Sequence, residues 1–170
     1  MNKNAGFTLI ELLVVVLIIG ILSSVAFPQY QRAVDKVKYH QLMALVDGIA
    51  QAQEVYYLSN GVYSSRFEDL DITLPDSFTL LKQADSLDCV NQSKRGTICT
   101  SPHYTYAEPW GSSSVQYYRT YAYSAKPNRR VCNVDTRSSE TERWTRLCKS
   151  MGKSTEETFF AGQPAWDLNK

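Results

Sequence analysis

Six side chains in this 170-residue chain have the types from which metal sites, relays and disulfides are built: Cys89, Cys99, Cys132, Cys148, His40 and His103. Cys99 and His103 lie four apart, a spacing a zinc site can use, yet no C-x-x-C accompanies them and no metal is expected. Four cysteines permit two disulfides in any of three pairings. Joining neighbours, Cys89–Cys99 and Cys132–Cys148, closes short loops and contributes ~3 kcal/mol each in the chain-entropy view. The histidines are poorly placed for a relay. His40 falls in a long helical pattern and His103 follows Pro102. With no G-x-S-x-G, P-loop or H-E-x-x-H segment, the chain offers no catalytic residue, cofactor site or enzyme class. Asn91-Gln92-Ser93 fits a glycosylation sequon, a three-residue pattern of low specificity.

The seventh chemically notable residue is Glu11, the one acid in an apolar run from Phe7 to Phe27. Those residues span about 21 positions, and at 1.5 Å per residue they match a hydrocarbon core of ~30 Å. A carboxylate at that depth costs ~2.5–3.5 kcal/mol unless it has a partner. Lys3 before the run, and Arg32, Lys36 and Lys38 after it, leave orientation unfixed by flanking charge. Ser24-Val25-Ala26 ahead of Phe27 also allows a cleaved secretory signal, against which Glu11 stands as an unexpected charge.

The segment Gly6-Phe7-Thr8-Leu9-Ile10-Glu11, behind a short leader containing Lys3, resembles the processing motif of type IV pilins and type II secretion pseudopilins. The resemblance implies that a prepilin peptidase cuts between Gly6 and Phe7 and methylates the new Phe7 amine. It also implies the partner that Glu11 needs. The freed Phe7 ammonium lies one helical turn away in the same chain, and in a filament Glu11 of one subunit meets the Phe7 ammonium of its neighbour, a register role attested for buried polar groups elsewhere. Pro28, in "AFPQY", matches the family's proline near the end of the membrane-spanning half-helix. The disulfide Cys132–Cys148 resembles the C-terminal loop of many pilins, and a head outside the cytoplasm puts all four cysteines in an oxidising compartment.

What must carry these residues is a helix far longer than a globular domain's usual one. Tyr30, Ala33/Val34, Val37, Gln41, Ala44/Leu45, Ile49, Ala52 and Tyr56 recur at three- and four-residue spacing, and Ser59-Asn60-Gly61 reads as the stop, giving one helix over 7–58. Pro28 removes a backbone donor and Gly20 adds a second weak point, so the rod should kink or loosen there. The stretch "YYLSNGVYSSRFEDLDITLP" resembles the pilin segment after that helix, with Tyr63, Phe67, Leu70 and Ile72 as apolar pins. Strands are expected at Phe78–Lys82, His103–Ala107, Val115–Ala125 and Arg129–Val134. In the longest, Val115, Tyr117, Arg119, Tyr121 and Tyr123 share a face that packs on a helix rather than stacking sugars or bases. Ser139 and Glu142 read as a capping box for a terminal helix ended by Gly152, with Trp144, Leu147, Cys148 and Met151 on its docked face. Phe159, Phe160 and Trp166 should pin the tail to the head.

Composition agrees with a one-domain head behind an anchor: 44% hydrophobic, 21% charged, net charge +1. Residues 82–170 carry 13 basic and 9 acidic side chains; Arg129, Arg130, Arg137, Arg143 and Arg146 read as a solvated face, with no specific nucleic acid as partner. The fold class expected is α+β: a long N-terminal helix with a membrane-spanning first half, its second half packed on a small antiparallel sheet, plus a short C-terminal helix and disulfides. The layout is leader 1–6, spanning half-helix 7–29 and pilin head 30–170. The resemblance implies a type IV pilus subunit, stored in the inner membrane with its head outside the cytoplasm and then moved to a surface pilus or periplasmic pseudopilus. Its partners are copies of itself and other pilins, the prepilin peptidase, and the pilus or type II secretion assembly machinery. A pseudopilin is the alternative, and a membrane-tethered binding module that never polymerises is a further one.

Overall fold

The structure is a computed structural model that describes residues 7–74, 77–84, 87–92, 96–109, 115–121, 127–155 and 163–169. The chain divides into two compact units, Met1–Lys36 and Val37–Lys170. Helix α1, Leu9–Asn60, begins in the first and ends in the second.

In the first unit α1 runs through Gly20 and Pro28 as helix. Pro28 has no N–H for the carbonyl of Ser24, whose own hydroxyl donates to Ile21 O at 2.7 Å. The large apolar side chains from Phe7 to Phe27 are all exposed, from 44% at Val15 to 88% at Leu9. The stretch is long and apolar enough to cross a membrane, and none of it is buried within the chain.

In the second unit α1 buries Tyr39, Leu42, Val46, Ile49, Ala50 and Gln53. This corrects the stripe expected from the sequence. The buried face lies one to two positions away, sharing only Ile49 as a fully covered residue, while Val37 and Gln41 are exposed. The volumes explain the shift: Tyr39, Leu42 and Val46 fill the space that a face centred on Gln41 and Ala44 would have left open. Gly61 then stops the helix with a positive φ of 73° and its N–H on Tyr57 O at 2.8 Å.

The following segment packs Tyr63, Phe67 and Leu70 into the body, with a 3₁₀ turn at Phe67–Asp69. Among the described residues eight strands form one antiparallel sheet: β1 Thr79–Ala84, β2 Leu87–Gln92, β3 Gly96–Thr100, β4 Tyr104–Pro109, β5 Val115–Thr120, β6 Arg130–Val134, β7 Lys153–Thr155 and β8 Ala165–Asp167. The order is β1-β2-β3-β4-β5-β6-β8-β7, so six strands meander and the C-terminal pair extends the far edge. One face presents Val90, Ile98, Ala107, Val115, Tyr117, Cys132, Val134 and Trp166 to a core shared with α1. Two-residue periodicity then puts Tyr104, Tyr106 and Tyr118 on the opposite face, where they cluster with Val131 and Ala165.

Helix α2, Thr141–Met151, docks by Trp144, Leu147 and Cys148, with Met151 half-buried against the same core. The expected capping box is not formed. Glu140, not Ser139, is the N-cap, with no side-chain cap bond, and its carboxylate instead takes Trp144 Nε1 at 3.1 Å and Arg143 Nη1 at 2.9 Å. Thr141 Oγ1 donates to Ser138 O at 2.6 Å and ties the turn ahead of the helix. Gly152 ends α2 in extended backbone, where a Cβ would come within 2.5 Å of the Asp167 carbonyl oxygen. Its glycine answers a close approach by β8 rather than a left-handed cap. Of the expected strand over 115–125, residues 122–125, with Tyr123, lie outside the described residues, as do Phe159 and Phe160.

Candidate functional site

Gly6 lies outside the described residues, so the site is described from Phe7 onward. Phe7 is exposed, and Thr8 precedes the first residue of α1. The Thr8 N–H donates to Glu11 Oε2 at 2.8 Å, and the Glu11 N–H donates to Thr8 Oγ1 at 3.3 Å. That reciprocal pair is a capping box, and the Thr8 hydroxyl adds a third bond to Oε2 at 2.7 Å. The carboxylate thus satisfies the amino end of its own helix, where the helix dipole also favours negative charge. Among the described residues, both donors to this carboxylate reach Oε2. Apolar periodicity does not single out Thr8, although T-x-x-E before an apolar run is the signature of this cap.

In the head, the cysteines pair as Cys89–Cys99 and Cys132–Cys148. The first joins residues directly opposite in β2 and β3, with Cα atoms 4.1 Å apart. The second ties β6 to α2 across 5.7 Å. Cys99 is therefore bonded to Cys89, and the His103 N–H turns to Ser101 Oγ at 3.3 Å. Among the described residues no three His, Cys, Asp or Glu side chains gather as a metal site would need.

Several contacts hold α1 to the sheet, and of their residues the sequence pattern singles out for packing only Tyr63, Tyr117 and Tyr121. Tyr39 meets Tyr117 edge-on at 6.2 Å, and the Tyr117 hydroxyl donates to Asp47 Oδ1 at 2.9 Å. Asp47 in turn pairs with Arg130 Nη2 at 3.3 Å. Burial, and then the Asp47 carboxylate, push the Tyr117 hydroxyl well above the ordinary tyrosine range. Near the helix end, buried Gln53 receives the Ser64 N–H at 2.9 Å and donates to Ser64 O at 2.8 Å and Thr100 Oγ1 at 2.9 Å. Beside it Tyr57, Tyr63 and Tyr121 stack at 4.6 and 4.8 Å, so the face containing Tyr121 packs within the head as expected. The basic residues are largely paired: Arg129 with Asp167, Arg130 with Asp47, Arg137 with Asp135, and Arg143 with Glu140.

Residues 1–27 match the family described as "Prokaryotic N-terminal methylation motif". The chain is 31% identical to type II secretion system core protein G of Escherichia coli over 67% of its own length and 72% of that protein's. It is also 31% identical to the type IV major pilin protein PilE1 of Neisseria gonorrhoeae over 56% of its length and 58% of that pilin's. To a fimbrial protein of Neisseria meningitidis it is 42% identical over 35% of each chain. The alignments to the gonococcal pilins thus span less than two thirds of those proteins, down to 27% for one of them. No solved structure matches. With its methylation motif, long amino-terminal helix and antiparallel head, the chain belongs to the family of type IV pilins and type II secretion pseudopilins.

Proposed function

We propose that this chain is a structural, non-enzymatic subunit of a type IV pilus. It is held in the inner membrane by the half-helix 7–29 with its head, 30–170, outside the cytoplasm, cut after Gly6, methylated on Phe7, and assembled with copies of itself and other pilins. The observation that carries this reading is the apolar surface from Phe7 to Phe27, exposed throughout and headed by Glu11. Such a surface must be covered by lipid or by other helices. In lipid it is an anchor. In a filament, neighbouring helices replace the lipid, and the ammonium of a neighbour's Phe7 pairs with the Glu11 carboxylate. A charge buried without its partner costs ~3–5 kcal/mol, so this pair selects one axial register over others. Pro28 and Gly20 are the points at which the helix loosens to fit that packing.

Filaments sheared from cells expressing the chain, imaged by electron microscopy and digested for mass spectrometry, should contain it as a repeating subunit. Their absence, with the chain confined to the membrane, would contradict the proposal.

A pseudopilus is the second reading, favoured by one observation: the match to core protein G spans more of both chains than the match to PilE1. Under it, deletion blocks export of a secreted protein and leaves surface filaments unchanged.

A further inference from the structure

The apolar stretch of α1 ends at Phe27, and the next two turns of the helix carry an aromatic and then basic side chains. Phe27 is 62% exposed and Tyr30 68%, so both rings stand where an aromatic belt marks the edge of a hydrocarbon core. Arg32 and Lys36 follow, both exposed and both within the first compact unit. Four residues apart on a helix, they lie on one face as neighbours. Among the described residues no carboxylate pairs with either. The acid between them, Asp35, is buried. This face therefore carries two positive charges that the chain itself does not answer.

Their distance from the apolar stretch fits the headgroup layer of a bilayer. At ~1.5 Å per residue, Arg32 lies about 7.5 Å past Phe27 and Lys36 about 13.5 Å. The polar layer on each side of the hydrocarbon is ~5–7 Å deep. Side chains on a helix lean toward its amino end, which here is back toward the lipid, and the long stems of Arg and Lys bring both charges into that layer. The sign of the charge is also informative. Spanning helices commonly keep their Lys and Arg on the cytoplasmic side. With the head outside and Lys3 removed with the leader, the mature chain has no Lys or Arg before Phe27, and Arg32 and Lys36 soon after it. An anchor set against that bias needs an attraction on its outer side.

We propose, resting on the reading of 7–29 as a membrane anchor, that Arg32 and Lys36 bind the phosphate of anionic phospholipids in the outer leaflet of the membrane that stores the subunit. The Arg32 guanidinium takes two phosphate oxygens as a fork, and the Lys36 ammonium adds a point charge one turn on. Phe27 and Tyr30 fix the depth at which the two cations meet the headgroups. A zwitterionic lipid offers the same phosphate with its own ammonium beside it, so the site selects by net charge.

The test places the full chain in phosphatidylcholine vesicles with a trace of spin-labelled lipid. Electron paramagnetic resonance then compares the fractions of labelled phosphatidylglycerol and phosphatidylcholine, of identical acyl chains, held at the protein. A basic side chain at an anionic membrane surface is worth about fivefold in affinity, so the parent should prefer phosphatidylglycerol by roughly tenfold or more, and less as salt is raised. Arg32→Gln with Lys36→Gln should bring the ratio near one. Lys38→Gln, two residues beyond Lys36 and on another face of α1, should leave it unchanged. Inorganic phosphate should not displace the labelled lipid; displacement would make the site one for free phosphate and overturn the proposal. Equal holding of both lipids by the parent would also overturn it, as would a preference that survives the double substitution or falls equally with Lys38→Gln. In those cases the chain still floats with the vesicles and the anchor stands. A parent that does not float with them would contradict the anchor itself, and the lipid site with it.

Discussion

Glu11 answers to two partners, and they can be separated. Within the chain it caps α1 through Thr8; between chains it is proposed to meet a neighbour's Phe7. Glu11→Gln keeps the size and an acceptor for the Thr8 donors, and removes only the charge. The substituted subunit should therefore reach the membrane, be cut after Gly6 and accumulate, yet enter filaments poorly. Immunoblots of membrane and sheared-filament fractions measure this; equal entry would give Glu11 a purely capping role. The residue was legible because a lone charge in an apolar run violates a strong physical rule. Gln53 was not. It holds the segment after α1 to the sheet with three bonds, but a neutral amide on a polar-looking helix has no signature until its partners Ser64 and Thr100 are folded against it.

Elements were legible where periodicity ran long. Helix α2 announced its docked face at Trp144, Leu147 and Cys148, and β4, β5 and β6 their approximate bounds. Strands β2 and β3 are not legible in the sequence because Leu87–Gln92 and Gly96–Thr100 are short and interrupted by polar residues; the Cys89–Cys99 bridge and the register between them make the hairpin. The three-residue strands β7 and β8 exist only through their pairing at the β6 edge. At this scale Cys132–Cys148 matters most, since it staples α2 to β6. Replacing both cysteines with serine should lower unfolding free energy by ~2–5 kcal/mol in a denaturant titration, with the bridged peptide lost from a non-reducing digest. The tyrosines that join β4, β5 and α1 set an alkaline limit. Burial raises Tyr39, Tyr117, Tyr118 and Tyr121 above the ordinary value of 10.0, and Tyr106 to about 12. For such groups the unfolded chain ionises first. Their stabilising effect is complete below pH ~10 and lost as pH climbs from there through the folded values. Unfolding followed by circular dichroism should show a plateau up to pH ~10 and a steady fall above it. Stability that rises above pH 10 would contradict the burial of these rings.

On the scale of the whole molecule, the chain combines a head that buries its own core with a helix segment that buries nothing. The head satisfies the ordinary demands of folding: a two-faced sheet, a docked helix at each end of its sequence, and two disulfides. The exposed stretch from Phe7 to Phe27 calls for a second environment, which under the proposed function is first lipid and then other copies. The general layout was readable because an apolar run and a polar remainder differ so plainly in composition. The proposed assembly depends on liberation of the Phe7 amine, without which Glu11 has no ammonium partner there. The most direct measurement is the amino-terminal sequence and intact mass of the protein recovered from cells that express a prepilin peptidase. A chain beginning at N-methylated Phe7 is the predicted result; one that keeps Met1, or begins at Phe27 as an ordinary signal peptide would leave it, would contradict the account.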